Sequence, residues 1–539
     1  MPLHTNHYDV VVCGGGLAGL TFAMQLKSKL PDVSVCVLEK QAGPLPDGTH
    51  KVGESLTEGG TWLFRELAGL KAYIESTHVR KLGLRFFGAG YRQQGFDKRF
   101  EVGDVVFARN SSFQLDRGIL ENDLRRFCRE RGVHVQEGVS VRDVQFGEQD
   151  HTVSFAFLDD KHEETATCRW VVDATGRRRF LQSKLGLCKP APHNASSTWW
   201  RIQRNFDVSE MAPRENGEWH DRVFAKRRNS TNHLMGPGYF VWVIPLCSGM
   251  TSIGIAADEA IHPISARNTY EKSMAWLREQ EPSLHNAIRQ DAPLDFLALK
   301  NYAHTTHRAY SADRWTCIGE SAAFTDPLYS MGTDLIAHGN RATIRMIELD
   351  RAGTLTPAIV DSYNSLYLKV VDVMLGLFHG TYGVFGDDRV AMVKLMWDIA
   401  CYWAFFSQLS IQNFLDDEAN LPKLHDLVDR LGLANQRAQS AFRVADKLDR
   451  ERTCKSGFFG FGGVSSVTAL RATVTTPRTV EATAANIDFM AHEFAPALCR
   501  FLGVESDSVD SGTERLIPMI ETYVAPESRQ LAFAVGGRA

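Results

Sequence analysis

The chain has 539 residues, 44% of them apolar and 23% charged, with a formal net charge of -4. That length is too great for one ordinary domain, and the balance is that of a globular protein with ample core material. A near-neutral charge without a long basic run excludes nucleic acid as the main partner.

Tyr8-Asp9-Val10-Val11-Val12-Cys13 is a short apolar run that reads as a buried parallel strand. A strand starting so early leaves no room for a secretory leader, which predicts a cytoplasmic protein. The run ends in Gly14-Gly15-Gly16-Leu17-Ala18-Gly19, a G-x-G-x-x-G turn, and helical spacing follows from Leu17 to Leu30. A second apolar run, Val33 to Leu38, ends in Glu39, twenty residues after Gly19. Strand, glycine turn, helix, strand and acid in this register make a dinucleotide-binding βαβ unit. Gly14, Gly16, Ala18 and Gly19 let main chain approach a pyrophosphate at the helix N-terminus, and Glu39, with Lys40 beside it, is placed for ribose hydroxyls. FAD and NAD both remain open at this point.

A Gly- and Pro-rich loop from Gly43 to Gly48 leads to Val52-Gly53-Glu54-Ser55, and a helix is predicted from about Gly59 to Ser76. Lys81 to Phe86 alternates as a strand, with Lys81, Gly83 and Arg85 on one face and Leu82, Leu84 and Phe86 on the other. Asp116-Arg117 opens a helix to about Arg131, and Val133 to Val135 is a strand. Val153 to Phe157 and Thr167 to Val172 read as a β-meander that ends in the turn Asp173-Ala174-Thr175-Gly176. Residues 197–255 are mostly strands, Tyr239 to Pro245 among them, and predict the sheet of a second domain.

Thr316 to Glu320 is a short strand ending at a glycine and an acid. It leads through Phe324-Thr325-Asp326-Pro327-Leu328-Tyr329-Ser330-Met331-Gly332 into a helix from about Thr333. Beyond Pro357 the chain reads as helical, with an aromatic stretch at Tyr402 to Phe406 and a break at Gly457 to Gly463. The densest apolar run, Met396 to Leu415, is interrupted by Asp398, Ser407, Gln408, Ser410, Gln412 and Asn413, so no stretch reaches the roughly 18 residues of a spanning helix. Ten scattered cysteines predict buried thiols in a reducing compartment. His304 and His307, with no acid or cysteine near them, predict no metal site.

Two further turns at strand ends, Asp173 to Gly176 and Gly319-Glu320, exceed what a simple dehydrogenase needs and favour FAD. With Asp116-Arg117 they make the pattern of single-FAD aromatic hydroxylases, and across about residues 8–350 the sequence most resembles the flavin-dependent halogenases of that superfamily. The resemblance implies an α/β fold. A Rossmann-like FAD-binding domain of glutathione-reductase and aromatic-hydroxylase type takes residues 1–80, 103–185 and 300–350, an inserted β-sheet substrate domain takes 81–102 and 186–299, and a mainly helical C-terminal region takes 351–539. FAD is then expected at Gly14, Gly16, Ala18, Gly19, Glu39, Lys40, Glu54, Ser55, Arg117, Asp173, Gly176, Glu320, Pro327 and Gly332.

Phe324, Pro327, Ser330 and Gly332 reproduce F-x-x-P-x-x-S-x-G, which resembles the halogenase signature at the flavin and halide end of the site. It implies Ser330, Met331 and Gly332 at the halide, with Ser330 also catalytic. Lys81 follows Val52-Gly53-Glu54-Ser55 at the spacing of the family's lysine, which holds hypohalous acid by a hydrogen bond or as a haloamine. Burial lowers a lysine pKa, which suits that role, and Lys51 is the rival for it. Phe240-x-Trp242-x-Ile244-Pro245 matches the family's W-x-W-x-I-P in part, which places Phe240, Trp242 and Pro245, with Phe324 and Tyr329, along a substrate tunnel.

Two positions depart from the pattern. Glu320 stands where the family's turn usually carries Asp, and Tyr329 stands where tryptophan halogenases carry a glutamate. A phenol with a pKa near 10 is a poor base at neutral pH, so the implied substrate is a phenol or pyrrole and not tryptophan. The implied reaction uses FAD reduced by a separate flavin reductase, oxygen, and chloride or bromide. It halogenates a small electron-rich ring, free or carrier-bound, in secondary-metabolite biosynthesis such as that of antibiotics. An aromatic monooxygenase and a flavin-binding subunit without turnover are the alternatives. The helical C-terminal faces leave a tunnel lid, a homodimer and carrier docking open.

Overall fold

Two eight-stranded sheets organise the chain. The structure, a computed structural model, describes residues 6–49, 51–108, 111–448, 454, 457–461 and 464–504. The first sheet runs Tyr310–Ser311, Trp315–Cys317, Glu163–Asp173, His7–Cys13, Val35–Glu39 and His134–Glu137. Val10 to Cys13 have no exposed surface, as expected of a parallel strand covered on both faces. Parallel register aligns Cys13 with Asp173 and Leu38, and Asp173 with Cys317, so the turns that follow these strands open at one edge. Glu163–Asp173 serves two partners. Its first half pairs antiparallel with His151–Phe157 and its second half parallel with His7–Cys13.

The second sheet runs Leu297–Leu299, Ala195–Ile202, Thr251–Asp258, Tyr239–Pro245, Thr231–Gly236, Leu84–Phe87, Glu101–Val102 and Phe458–Phe459. Its last strand comes from the stretch read as a break. Glu101 N donates to the Gly457 carbonyl and Gly103 N to that of Phe459, so this C-terminal segment edges the sheet. Gly462 and Gly463 of that stretch, and residues 505–539 of the predicted helical tail, lie outside the described residues.

Two predicted elements are broken in the structure. Of the strand expected from Lys81 to Phe86 only the second half forms, as Leu84–Phe87, because Gly83 takes a φ of 79°, and Val79–Arg80 before it belongs to another sheet. Lys81 therefore lies between strands, and Arg85 is buried against Glu101, which also accepts from Arg227. The helix expected from Gly59 to Ser76 divides into Glu58–Trp62, a π turn at Leu63–Leu67, and Lys71–Thr77, with Gly69 at φ 68° ending the first part.

Helices Pro357–Gly376, Asp388–Cys401 and Leu421–Ala445 form the C-terminal layer. Asp388–Ile411 is the one helix among the described residues long and apolar enough to cross a membrane, and its most apolar window is wholly buried, as in a core helix. Its polar residues are paired inside the protein, Asp398 with Lys394 at 2.6 Å. All ten cysteines are free thiols, with Cys188 and Cys247 partly exposed and the others buried.

Candidate active site

A cavity of about 690 Å³ opens where the turns of the first sheet meet the second sheet. Gly14, Gly16, Ala18, Glu39, Lys40, Glu54, Ser55, Arg117, Gly176, Glu320, Pro327 and Gly332 line it, with Trp242, Phe324 and Ser330. The glycines do different work. A Cβ on Gly14, whose φ is 109°, would strike the Ala174 carbonyl, whereas Cβ atoms on Gly16 and Gly332 would meet no protein atom within 4 Å. The first holds the turn together; the other two leave room for a ligand.

Two helix N-termini face this space. Leu17–Lys29 has Gly16 as N-cap with no side-chain cap and no acid in its first turn, and Gly332–Arg351 has Met331 as N-cap with no side-chain cap and Asp334 in its first turn. Uncapped N-termini present unsatisfied N–H groups and a positive dipole end, which suits a pyrophosphate at one and a small anion at the other. At the second, Thr333 lines the cavity, while its unpartnered hydroxyl is turned away toward Gly60. These residues fit a dinucleotide cofactor.

Acids and bases fix the loops around the cavity. Glu39 Oε2 accepts from Gly15 N at 2.5 Å and Oε1 from Gln41 N at 2.7 Å, which leaves acceptor sites for a ribose. Arg117 donates to the Val52 carbonyl and to Glu121, and Lys51 donates to the same Glu121, so the loop Lys51 to Ser55 is clamped. Glu54 is held by Arg201 at 2.7 Å, and burial pushes its carboxyl up against that partner. Arg177 lies 3.9 Å from Glu320.

Several expected residues sit elsewhere. Gly19 packs in the helix, where a Cβ would strike the Gly14 carbonyl. Asp173 is buried and shapes its turn by accepting from Thr175 N at 2.8 Å and Leu181 N at 2.7 Å. Phe240 and Met331 are buried, and Pro245 ends its strand. Phe240 packs on His233 and Tyr382. His304 ring nitrogens face the Tyr302 and Glu320 carbonyls.

Lys81 and Tyr329 line a second cavity of about 60 Å³, with Leu56, Thr57, Glu58, Asp104, Asp398, Tyr402, Trp403, Phe461 and Arg471. The wall between the cavities is thin. Ser55 faces the large one and Leu56 the small one, and across from them Ser330 faces the large one and Tyr329 the small one. Lys81 is anchored in this wall, its Nζ donating to Ser55 Oγ at 2.8 Å and to the Leu56 carbonyl at 2.7 Å. Burial pushes its pKa down to about 7, with Glu58 and Asp334 opposing. Asp334 accepts from Thr57 at 2.5 Å and from Tyr402 and Ser410 at 3.1 Å each, and burial pushes it up to about 7. An ammonium spending two donors keeps one for a guest, and the neutral amine offers a lone pair.

Sequence reasoning did not single out His233, Trp199 or Tyr302 of the large cavity, nor Asp398, Tyr402, Trp403 and Arg471 of the small one. Burial pushes His233 down to about 3, so it is a neutral wall residue, hydrogen-bonded to the Arg85 carbonyl at 3.2 Å. Nothing in a helical stretch with aromatics marks Asp398 or Tyr402 as cavity residues, since the same types fill cores.

A family of FAD-binding domains matches residues 7–375. The chain is 26% identical over 433 residues to flavin-dependent halogenase chlA of Dictyostelium discoideum, which covers 74% of this chain and 70% of that protein. It is 27% identical over 356 residues to the 1H-pyrrole-2-carbonyl-(peptidyl-carrier protein) chlorinase of Pseudomonas fluorescens, covering 62% of this chain and 74% of that one. Among solved structures, halogenase PltM in complex with phloroglucinol and FAD aligns with a TM-score of 0.65 at 17% identity, over 90% of this chain and 95% of that one, a likeness of fold.

Proposed function

The chain belongs to the FAD-binding-domain family and, within it, to the flavin-dependent halogenases, and from that premise we propose that it halogenates an electron-rich aromatic ring through Lys81. The observation that carries this reading is the thin wall between the two cavities, with Lys81 anchored in it. FAD, when bound and reduced by a separate flavin reductase, supplies the oxidation of halide by oxygen to hypohalous acid. Gly14, Gly16, Glu39, Arg117 and Gly176 hold the dinucleotide, and the amides at Gly332 and Thr333 hold the halide.

Lys81 receives the hypohalous acid on the far side of Ser55 and keeps it from solvent. The lowered pKa supports this, because a lysine titrating near 7 supplies both the N–H that binds an oxidant and the amine that carries halogen. The ring takes up halogen as the O–X bond breaks, and the proton it loses joins the departing hydroxide as water. An engineered apolar cavity of about 150 Å³ binds benzene, so at about 60 Å³ the small cavity must widen for a ring. Trp403 and Arg471 line it, the latter bridging to Asp104 at 3.0 Å and Glu58 at 3.8 Å, and widening would have to break these contacts. The pyrrole-carrier relative supports a carrier-tethered ring as one form of the substrate.

The test uses the FAD-loaded chain with a flavin reductase, NADH and bromide, with phloroglucinol as ring and methionine as a trap of free hypohalous acid. Brominated phloroglucinol is expected, and Lys81→Met should abolish it while the trap is still oxidised. Hydroxylated ring formed without bromide would overturn the reading in favour of a monooxygenase. Neither product, with FAD bound, would favour a subunit without turnover.

A further inference from the structure

If the small cavity receives the ring, as proposed above, the wall formed by Tyr329 governs which rings it takes. Tyr329 is fixed between the rings of Phe86 and Phe378, at centroid distances of 6.4 and 5.6 Å. Its hydroxyl donates to Asp398 Oδ2 at 2.6 Å, and both residues line the cavity. Asp398 is fixed in turn. Lys394 donates to Oδ2 at 2.6 Å and Gln439 to Oδ1 at 2.8 Å. The other two N–H groups of Lys394 are spent on the Leu377 carbonyl at 2.5 Å and Gln439 Oε1 at 3.0 Å. Tyr329, Lys394, Asp398 and Gln439 are all at most 5% exposed, so this counter-charge has no water to turn to.

A phenol has one hydrogen to give. Once it is committed to Asp398, the Tyr329 oxygen offers the cavity lone pairs only. We propose that Tyr329, oriented by Asp398, accepts a hydrogen bond from an O–H or N–H borne on the substrate ring, so that the chain selects phenols and pyrroles over equally electron-rich rings that lack a donor. Asp398 is a positioning residue in this arrangement. Burial and the adjacent carboxylate hold the Tyr329 phenol far above its ordinary pKa, which suits a hydrogen-bond acceptor and not a base. A ring ether would bring oxygen against oxygen and leave both unpaired, the situation polar sites reject most strongly.

The experiment compares phloroglucinol with 1,3,5-trimethoxybenzene, the same ring without O–H, and pyrrole with N-methylpyrrole. The full chain carrying FAD is run with a flavin reductase, NADH and bromide, and brominated products are quantified by mass spectrometry. Wild type is expected to favour the donor-bearing ring of at least one pair by about 100-fold or more in kcat/KM, beyond the preference of free hypobromous acid. The pair that shows it assigns the donor as O–H or N–H. Tyr329→Phe and Asp398→Asn, with bound FAD retained, should lose that preference through a rise in KM. Equal turnover of both members of both pairs by wild type overturns the proposal without need of any variant, and so does an undiminished preference in Tyr329→Phe. Absence of both brominated product and methionine oxidation by wild type with bromide would instead overturn the halogenase reading itself.

Discussion

The two cavities are built from different material. At its nucleotide end the large one is walled by main chain, by Gly14, Gly16, Gly176 and Gly332 and two uncapped helix N-termini. The small one is walled by side chains, Lys81, Tyr329, Asp398, Tyr402 and Arg471, each held by a polar partner. A main-chain wall is intolerant of added volume and indifferent to charge. A wall of buried polar side chains is intolerant of a lost charge and more forgiving of volume. The two should therefore break under different substitutions.

The largest effect is expected at the first wall. Gly14→Ala places a Cβ against the Ala174 carbonyl at a φ of 109°, so flavin retention should vanish together with part of the thermal stability. Gly16→Ala meets no protein atom within 4 Å, so its melting temperature should stay at wild type while FAD affinity drops about 100-fold, roughly 2.7 kcal/mol. Fluorescence titration of FAD and thermal unfolding of the flavin-free protein separate the two. A similar loss of stability in both variants would erase the distinction between turn and cradle.

Behind the second wall, Lys394→Met leaves the Asp398 carboxylate buried without its cation, and a loss of about 3–5 kcal/mol is expected from urea unfolding. The double variant Lys394→Met with Asp398→Leu should recover more than half of that loss, because no charge is then left unpaired. A double variant as unstable as the single one would show that packing around Tyr329, and not charge, holds this wall.

A smaller effect, and one with a sign, comes from Lys81. Its pKa falls from 10.5 unfolded to about 7 folded, so between those values the unfolded chain holds a proton the folded chain has shed, and stability rises with pH. The cost of burying Lys81 is thus full below pH 7 and gone above about 10.5. Lys81→Met should stabilise most below pH 7 and hardly at all at pH 10.5. Asp334 runs the other way, its pKa rising from 3.8 to about 7, so Asp334→Asn should gain little at pH 4 and most above pH 7. Melting temperatures of both variants across this range check it, and parallel curves would mean that neither group titrates as its burial implies.

The same division explains what could be read from the chain. Gly14, Gly16 and Glu39, which line the large cavity, could be singled out because a main-chain wall demands a residue type at a fixed spacing, whereas Gly332 was reached through a resemblance. Lys81 was singled out through a resemblance, yet the strand expected there does not form, because Gly83 at φ 79° interrupts an alternation that looked regular. The C-terminal contribution was not legible at all. Asp398 read as an interruption of an apolar run, and only the fold shows that Lys394 one turn earlier cancels its charge while Tyr329, 69 residues away, donates to it. Phe458–Phe459 likewise read as part of a break, since an edge strand of two residues carries no period of its own.

The smallest expected effect falls where the two walls meet. Ser330 holds a φ of 62°, a left-handed conformation that costs an L-residue roughly 1–2 kcal/mol, and its N–H bonds back to the Pro327 carbonyl at 3.2 Å. Glycine would carry that turn without strain, less its own entropy cost, so Ser330→Gly should stabilise by about 0.5 kcal/mol. A serine kept at a position that suits glycine better points to a use for the hydroxyl, which lies on the large-cavity side of the wall, next in the chain to Tyr329. Ser330→Gly is therefore expected to melt slightly higher and to brominate phloroglucinol with more oxidant lost to methionine. A variant that is both more stable and equally coupled would make Ser330 a turn residue only, and the passage between the cavities would then rest on Lys81 and Ser55.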